Sequence, residues 1–174
     1  MQYVLNKITD IGLFMCERTT NYADSDTQDR LVQTAIKCLE KRLWVTGDAI
    51  NNTELAVNYF KCQLLAEEDE VFAVMFLDNK NHELHFEKLF RGSINHCPVC
   101  LRTVVKKALA VNAAAVIVGH NHPSSYAEPS NADMSLTEQL QKALRLIDVI
   151  LLDHIIIAGT EYVSFKQSRY LNWT

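Results

Sequence analysis

The sequence predicts an α/β (α+β) fold in which a mixed β-sheet is flanked by helices, and three features carry that prediction. Apolar residues recur at helical spacing in the first third of the chain and again in two later segments. Short continuous apolar runs, VFAVMFLD, AAAVIVG and VILLDHIIIAG, have the length and β-branched content of buried strands. The two kinds of segment interleave, as they do when helices cover both faces of one sheet.

Residues 1 to about 20 follow no clear period. From Asp26 onward Leu31, Ala35, Ile36, Leu39 and Leu43 fall at helical spacing, and Gly47 ends the pattern. Thr53 is a suitable cap for a second helix through NNTELAVNYFKCQLL, with Leu55, Tyr59, Phe60 and Leu64 on one face. The acidic cluster AEEDE, Ala66 to Glu70, then breaks the apolar pattern. VFAVMFLD, the turn-like NKNH and the alternating ELHFEKLFRG together predict a β-hairpin. CLRTVVKKALAVNA places Val104, Val105, Ala108 and Leu109 at helical spacing, and AAAVIVG follows as a buried strand. NADMSLTEQLQKALRLID reads as a long amphipathic helix with Leu136, Leu140, Ala143, Leu144 and Ile147 inward. VILLDHIIIAG and YVSFKQ close the chain as two antiparallel strands. The expected division is a helical extension over residues 1–50 and a main domain over residues 51–174.

A chain of 174 residues, 48% hydrophobic and 22% charged, can bury a substantial core within one main domain. Its formal net charge of -4 gives no overall basic footprint for nucleic acid. Only a local patch of Lys106, Lys107, Lys142 and Arg145 could serve that purpose. Cys16, Cys38, Cys62, Cys97 and Cys100 are odd in number and scattered, which reads as reduced thiols rather than a disulfide framework. MQYVLNKITDIGLFMCERTT makes a poor signal peptide, and no run reaches the roughly 18 apolar residues of a membrane span. The expected location is the cytoplasm, with no membrane partner and with self-association left open.

The chemistry concentrates in VIVGHNHPSSYAEPSNADMSLTEQL, Val116 to Leu140. Alternate strand residues share a face, so His120 and His122 point the same way where the strand leaves the core, about 6 to 7 Å apart along it. Two imidazoles so placed suit adjacent corners of a metal polyhedron, and Asp133 in the first turn of the following helix is the natural third ligand. Two histidines and a carboxylate leave a fourth position for water, the arrangement of catalytic zinc. The plainer alternative is a capping box: Ser130-x-x-Asp133 before an apolar helix would occur with no metal at all. A His-x-His pair is also commonly without function. The two signals gain force by falling in one segment, and spacing alone leaves both readings open.

His120-x-His122, seven residues, then Ser130-x-x-Asp133 matches the H-x-H-x7-S-x-x-D signature of the JAMM (MPN+) metalloproteases. GHNHPSSYAEPSNAD resembles the RadC-like branch of that family, and FLDNKN, LFRGSIN, KKALAVNAAAVIV and LLDHIII are similar to its blocks in the same order. The similarity runs over roughly residues 35–170, and in length the chain resembles the short prophage-type homologues. The resemblance implies a cytidine-deaminase-like architecture with zinc at a strand edge. It makes His120, His122 and Asp133 the zinc ligands, with water as the fourth, and gives Ser130 the stabilisation of the oxyanion. It also requires an upstream Glu as general base, a role that falls on Glu70, or on Glu68 as the alternative. A solvated acidic run is the plainer reading of either residue. The implied reaction is hydrolysis of a peptide or isopeptide bond in an unidentified peptide or protein.

Two positions depart from the family pattern. Ser125 stands where a Gly is usual after HNHPS, and Cys100, Leu101, Arg102 and Thr103 stand where Y-P-R-E is usual. If the first position needs a positive φ, Ser125 strains the loop between the ligands. His154, inside the apolar LLDHIII, reads as a satisfied core histidine or as a group that orients a neighbour of the metal.

Two rival readings remain. HFE, His85 to Glu87, followed by CPVC, Cys97 to Cys100, partly resembles the H-x-E and P-C-x-x-C signature of zinc deaminases. The proline sits between the cysteines, however, and HFE falls in an expected strand. The second alternative is a non-catalytic binding or scaffold module associated with DNA repair, as the RadC-like resemblance also implies. Longer relatives have a helix-hairpin-helix region, but residues 1–50 contain no Gly-x-Gly hairpin.

Overall fold

A computed structural model describes residues 25–45, 49–92 and 99–170. Helix α1 runs from Ser25 to Val45. The chain divides into two units at residues 33 and 34, and the fold below is that of the larger. Helix α2, Thr53–Leu64, begins at Asn52, whose Oδ1 accepts the Leu55 N–H at 2.7 Å. Thr53, the residue expected to cap, is instead the first helical residue, because the Asn52 side chain one position earlier reaches the free amide of Leu55.

Strand β1, Val71–Leu77, and β2, Glu83–Arg91, form the antiparallel hairpin read from the sequence. Helix α3 spans Leu101–Ala110, β3 Ala115–Asn121, α4 Asn131–Arg145, β4 Ile150–Ala158 and β5 Glu161–Ser164. The five strands lie in the order β2-β1-β3-β4-β5. All neighbours are antiparallel except β3 and β4, whose parallel pairing requires a crossover, supplied by α4. The sheet is mixed and helix-flanked, as expected.

Strand alternation separates two cores. Ala73, Met75, Ile117 and Ile155 face one way and pack with Ala56, Phe60 and Leu64 of α2. Phe72, Val74, Val116 and Val118 face the other way, toward Val104 and Ala108 of α3 and Leu140 and Leu144 of α4. Strand β1 is buried along its whole length, which explains its unbroken apolar sequence. One expected core residue lies elsewhere: Leu109 is 58% exposed, because it falls on the outer side of the short α3. Ile147, just past the last turn of α4, still packs against the core.

Gly119 sets how closely α2 approaches the sheet. A β-carbon there would stand 2.6 Å from Phe60 Cδ1 and 3.0 Å from the Ile155 carbonyl, inside contact distance for both. Of the basic residues expected to share a patch, Lys107 pairs with Glu87 at 2.8 Å and Lys142 with Glu138 at 4.0 Å. Among the described residues no helix is long and apolar enough to cross a membrane.

Candidate metal centre

The site forms where β3 ends against the first turn of α4. His120 has the parity of Val116 and Val118, so its side chain enters the layer between sheet and α4 and is fully buried. Burial pushes its imidazole down to about 4; Asp133 opposes this and His122 adds to it. A neutral imidazole is the form that can donate a lone pair to a metal.

His122, one residue past the strand, is still tied to β4 by its N–H to the Ile157 carbonyl at 2.8 Å. Its Nδ1 lies 2.6 Å from the Tyr126 carbonyl. A carbonyl can only accept, so Nδ1 carries the proton, which in a neutral ring leaves the lone pair on Nε2. That Nε2 stands 3.0 Å from His120 Nε2.

Asp133 is the third residue of α4 and is buried. Its Oδ2 accepts from the Ser130 N–H at 2.8 Å and from the Ser130 hydroxyl at 2.6 Å, while Ser130 Oγ accepts the Asp133 N–H at 3.2 Å. The expected capping box is therefore present, and it fixes one carboxylate oxygen. The other, Oδ1, is buried without a hydrogen-bond partner among the described residues, 3.4 Å from His120 Nε2. Oδ2 lies 3.8 Å from His122 Nε2. The Ser130 hydroxyl proton is directed at Asp133, so contact with a developing oxyanion requires that hydroxyl to rotate away.

Glu70, the residue before β1, reaches the same place. One ligand atom each of Glu70, His120 and His122 lie within 4.8 Å of one another, a candidate metal triad. Glu68 is exposed and outside that group. Asn121, of opposite parity to the histidines, holds the acidic segment. It accepts the Val71 N–H at 2.7 Å and donates to the carbonyls of Asp69 at 2.9 Å and Glu67 at 3.3 Å. The Glu70 carbonyl accepts from Gly92 N–H at 2.8 Å.

The His-x-His and Ser-x-x-Asp patterns assign no role to Asn121 or Thr137. Thr137 follows Asp133 by one helical turn, and that i, i+4 spacing was the available signal. His154, fully buried, lies with Nε2 2.9 Å from His120 Nδ1 and Nδ1 2.6 Å from the Thr137 hydroxyl. Burial holds its imidazole well below the ordinary range, and the neighbouring histidines lower it further.

The intervening loop bounds a cleft of about 710 Å³ lined by Glu70, His122, Ser130 and Asp133 among others. Tyr126 and Glu128 stand at its rim, joined by a 2.5 Å hydrogen bond from the Tyr126 hydroxyl. Ser125 has φ of 58°, the left-handed region foreseen if a Gly position were filled by Ser. The described residues of the deaminase-like elements are not in the candidate metal group. His85 and Glu87 belong to β2, where His85 stacks on Phe76 and Glu87 binds Lys107. Cys100 is exposed, and Cys97 lies outside the described residues.

Two imidazole nitrogens and two carboxylates converge here, and among the described residues the buried Oδ1 of Asp133 has no hydrogen-bond donor. That donor set fits a divalent transition metal. Comparison with known proteins agrees with the architecture. A family model described as the RadC-like JAB domain matches residues 50–170. A UPF0758 protein of Vibrio cholerae serotype O1 is 44% identical over 144 residues, covering 83% of this chain and 90% of the relative. UPF0758 proteins of Cellvibrio japonicus and Xylella fastidiosa are 48% and 50% identical over 125 residues, 72% of this chain and 56% of each relative. The chain thus spans most of the first and little more than half of the other two.

Proposed function

Because the chain belongs to the RadC-like JAB domain family, we propose that it is a zinc-dependent hydrolase acting on a peptide or isopeptide bond. The observation that carries this reading is the buried Oδ1 of Asp133, without a donor among the described residues, beside His120 Nε2, with His122 Nε2 3.0 Å beyond it. Such a grouping of acceptors in a dry place is costly unless a cation joins them. His120, His122 and Asp133 are assigned as the ligands, and their nitrogen and carboxylate chemistry suits zinc. When bound, zinc polarises a carbonyl and makes water a nucleophile near neutral pH.

The protein's own groups supply the rest. Glu70 lines the cleft within reach of the two histidines, where its carboxylate can take a proton from water and return it to the leaving amine. Ser130 holds Asp133 in place through two hydrogen bonds and can donate its hydroxyl to the oxyanion only after turning from Oδ2. Tyr126 and Glu128 also line the cleft.

Glu70 is near enough to be a ligand itself, so its variant separates the roles. As general base, Glu70→Gln keeps zinc near wild-type content and loses about 10²- to 10⁴-fold in peptide or isopeptide hydrolysis. Loss of zinc from Glu70→Gln together with its retention by Asp133→Asn would reverse the assignment.

A further inference from the structure

Behind the two imidazoles runs a chain of buried hydrogen bonds that the hydrolysis does not use directly. The Thr137 hydroxyl lies 2.5 Å from the Asp133 carbonyl and 2.6 Å from His154 Nδ1, and His154 Nε2 lies 2.9 Å from His120 Nδ1. His120, Thr137 and His154 are all fully buried, so water does not substitute for any of these partners.

The direction of every bond follows from the one group with no choice. A backbone carbonyl only accepts, so the contact with the Asp133 carbonyl requires the single Thr137 hydroxyl proton. Thr137 Oγ1 then has only lone pairs left for His154, so His154 Nδ1 must carry the proton. In a neutral ring the proton on Nδ1 leaves Nε2 as an acceptor. His120 Nδ1 must therefore donate to it, and His120 Nε2 is left with its lone pair facing Asp133 and His122. Phe165 stacks on the His154 ring at 4.7 Å and 17°, and Phe72 meets it edge-on at 5.9 Å, so the ring is held in this orientation.

We infer that Thr137 and His154 are positioning residues that fix His120 as the Nδ1–H tautomer and aim its Nε2 lone pair into the metal centre. The assignment of the tautomer stands on the protein alone, whereas its consequence for zinc rests on the proposed function. The same hydroxyl that starts the chain grips the Asp133 carbonyl, so one set of bonds orients ligands from β3 and α4 together.

Long-range 1H–15N correlation spectra of histidine-labelled, metal-free protein at neutral pH read the tautomers directly. The expected result is protonated Nδ1 and unprotonated Nε2 for both His120 and His154. Thr137→Val, which removes the acceptor, should displace both rings from that form and weaken zinc binding by about 10- to 100-fold. Thr137→Ser, which restores the hydroxyl, should return both readouts toward wild type. A wild-type spectrum with His120 protonated on Nε2 overturns the inference whether or not any variant folds. So does a folded Thr137→Val protein with unchanged tautomers. If wild type shows the expected tautomers yet binds no zinc, the hydrolase reading fails and the positioning of His120 stands.

Discussion

The Val71 N–H is bound by the side chain of Asn121, at 2.7 Å, where the ladder between β1 and β3 stops. The last backbone-paired residues are Phe72 and His120, and the amide of Asn121 takes over one step further. Its other end holds the carbonyls of Glu67 and Asp69. One residue between the two histidines thereby fixes the approach of Glu70 to the centre from the opposite strand. Asn121→Ala leaves the buried Val71 N–H without its acceptor, at a cost of about 1–3 kcal/mol. Urea denaturation should show that loss, and the variant should lose hydrolysis more than zinc. Unchanged stability would remove Asn121 as a strut.

Ser125 occupies left-handed backbone in the loop between His122 and Asp133. A side chain costs roughly 1 kcal/mol in that region, partly offset by the greater freedom of Gly in the unfolded chain. Ser125→Gly is expected to raise stability by a few tenths to about 1 kcal/mol, read from the denaturation midpoint. A clear loss would mean that the Ser125 side chain, which packs toward Gly159, contributes more than the backbone costs.

Gly119 precedes His120 directly beneath Phe60. Gly119→Ala forces α2 or the strand to shift, and overpacking of this kind costs about 1–3 kcal/mol. Thermal unfolding should record it. A neutral result would show that the Phe60 ring moves aside freely.

The acidic segment also has a pH signature. A hydrogen bond from Lys88 is the main cause that lowers the Glu67 carboxyl below its ordinary 4.5; burial opposes it, and the charges of Lys88 and Arg91 assist. A depressed carboxyl contributes stability that is present above its unfolded value and disappears as pH falls through the folded one. Lys88→Ala should therefore reduce stability at pH 7 but leave little difference in strong acid. Denaturation across that range that shows a constant gap would contradict the linkage.

Much of this architecture was legible because burial writes period into sequence. VFAVMFL and AVIVGHN are continuous because both faces of β1 and β3 are covered, and α4 announced itself by its capping box and apolar face. That His120, His122 and Asp133 come together was legible because strand parity and the first helical turn are local geometry. The Asn121 strut and the His154–Thr137 chain were not legible in the same way. They depend on β3 lying antiparallel to β1 and parallel to β4, a pairing that no local period encodes. Choosing Asn52 over Thr53 as the cap of α2 was a one-residue matter of side-chain reach.

The most direct test is the zinc content of purified, metal-replete protein beside His122→Ala and Asp133→Ala, with circular dichroism to show that each variant folds. Wild type is expected to hold about one zinc per chain, and each folded variant to lose it. A wild type without stoichiometric zinc, or folded variants that retain it fully, would contradict a metal centre built on His120, His122 and Asp133.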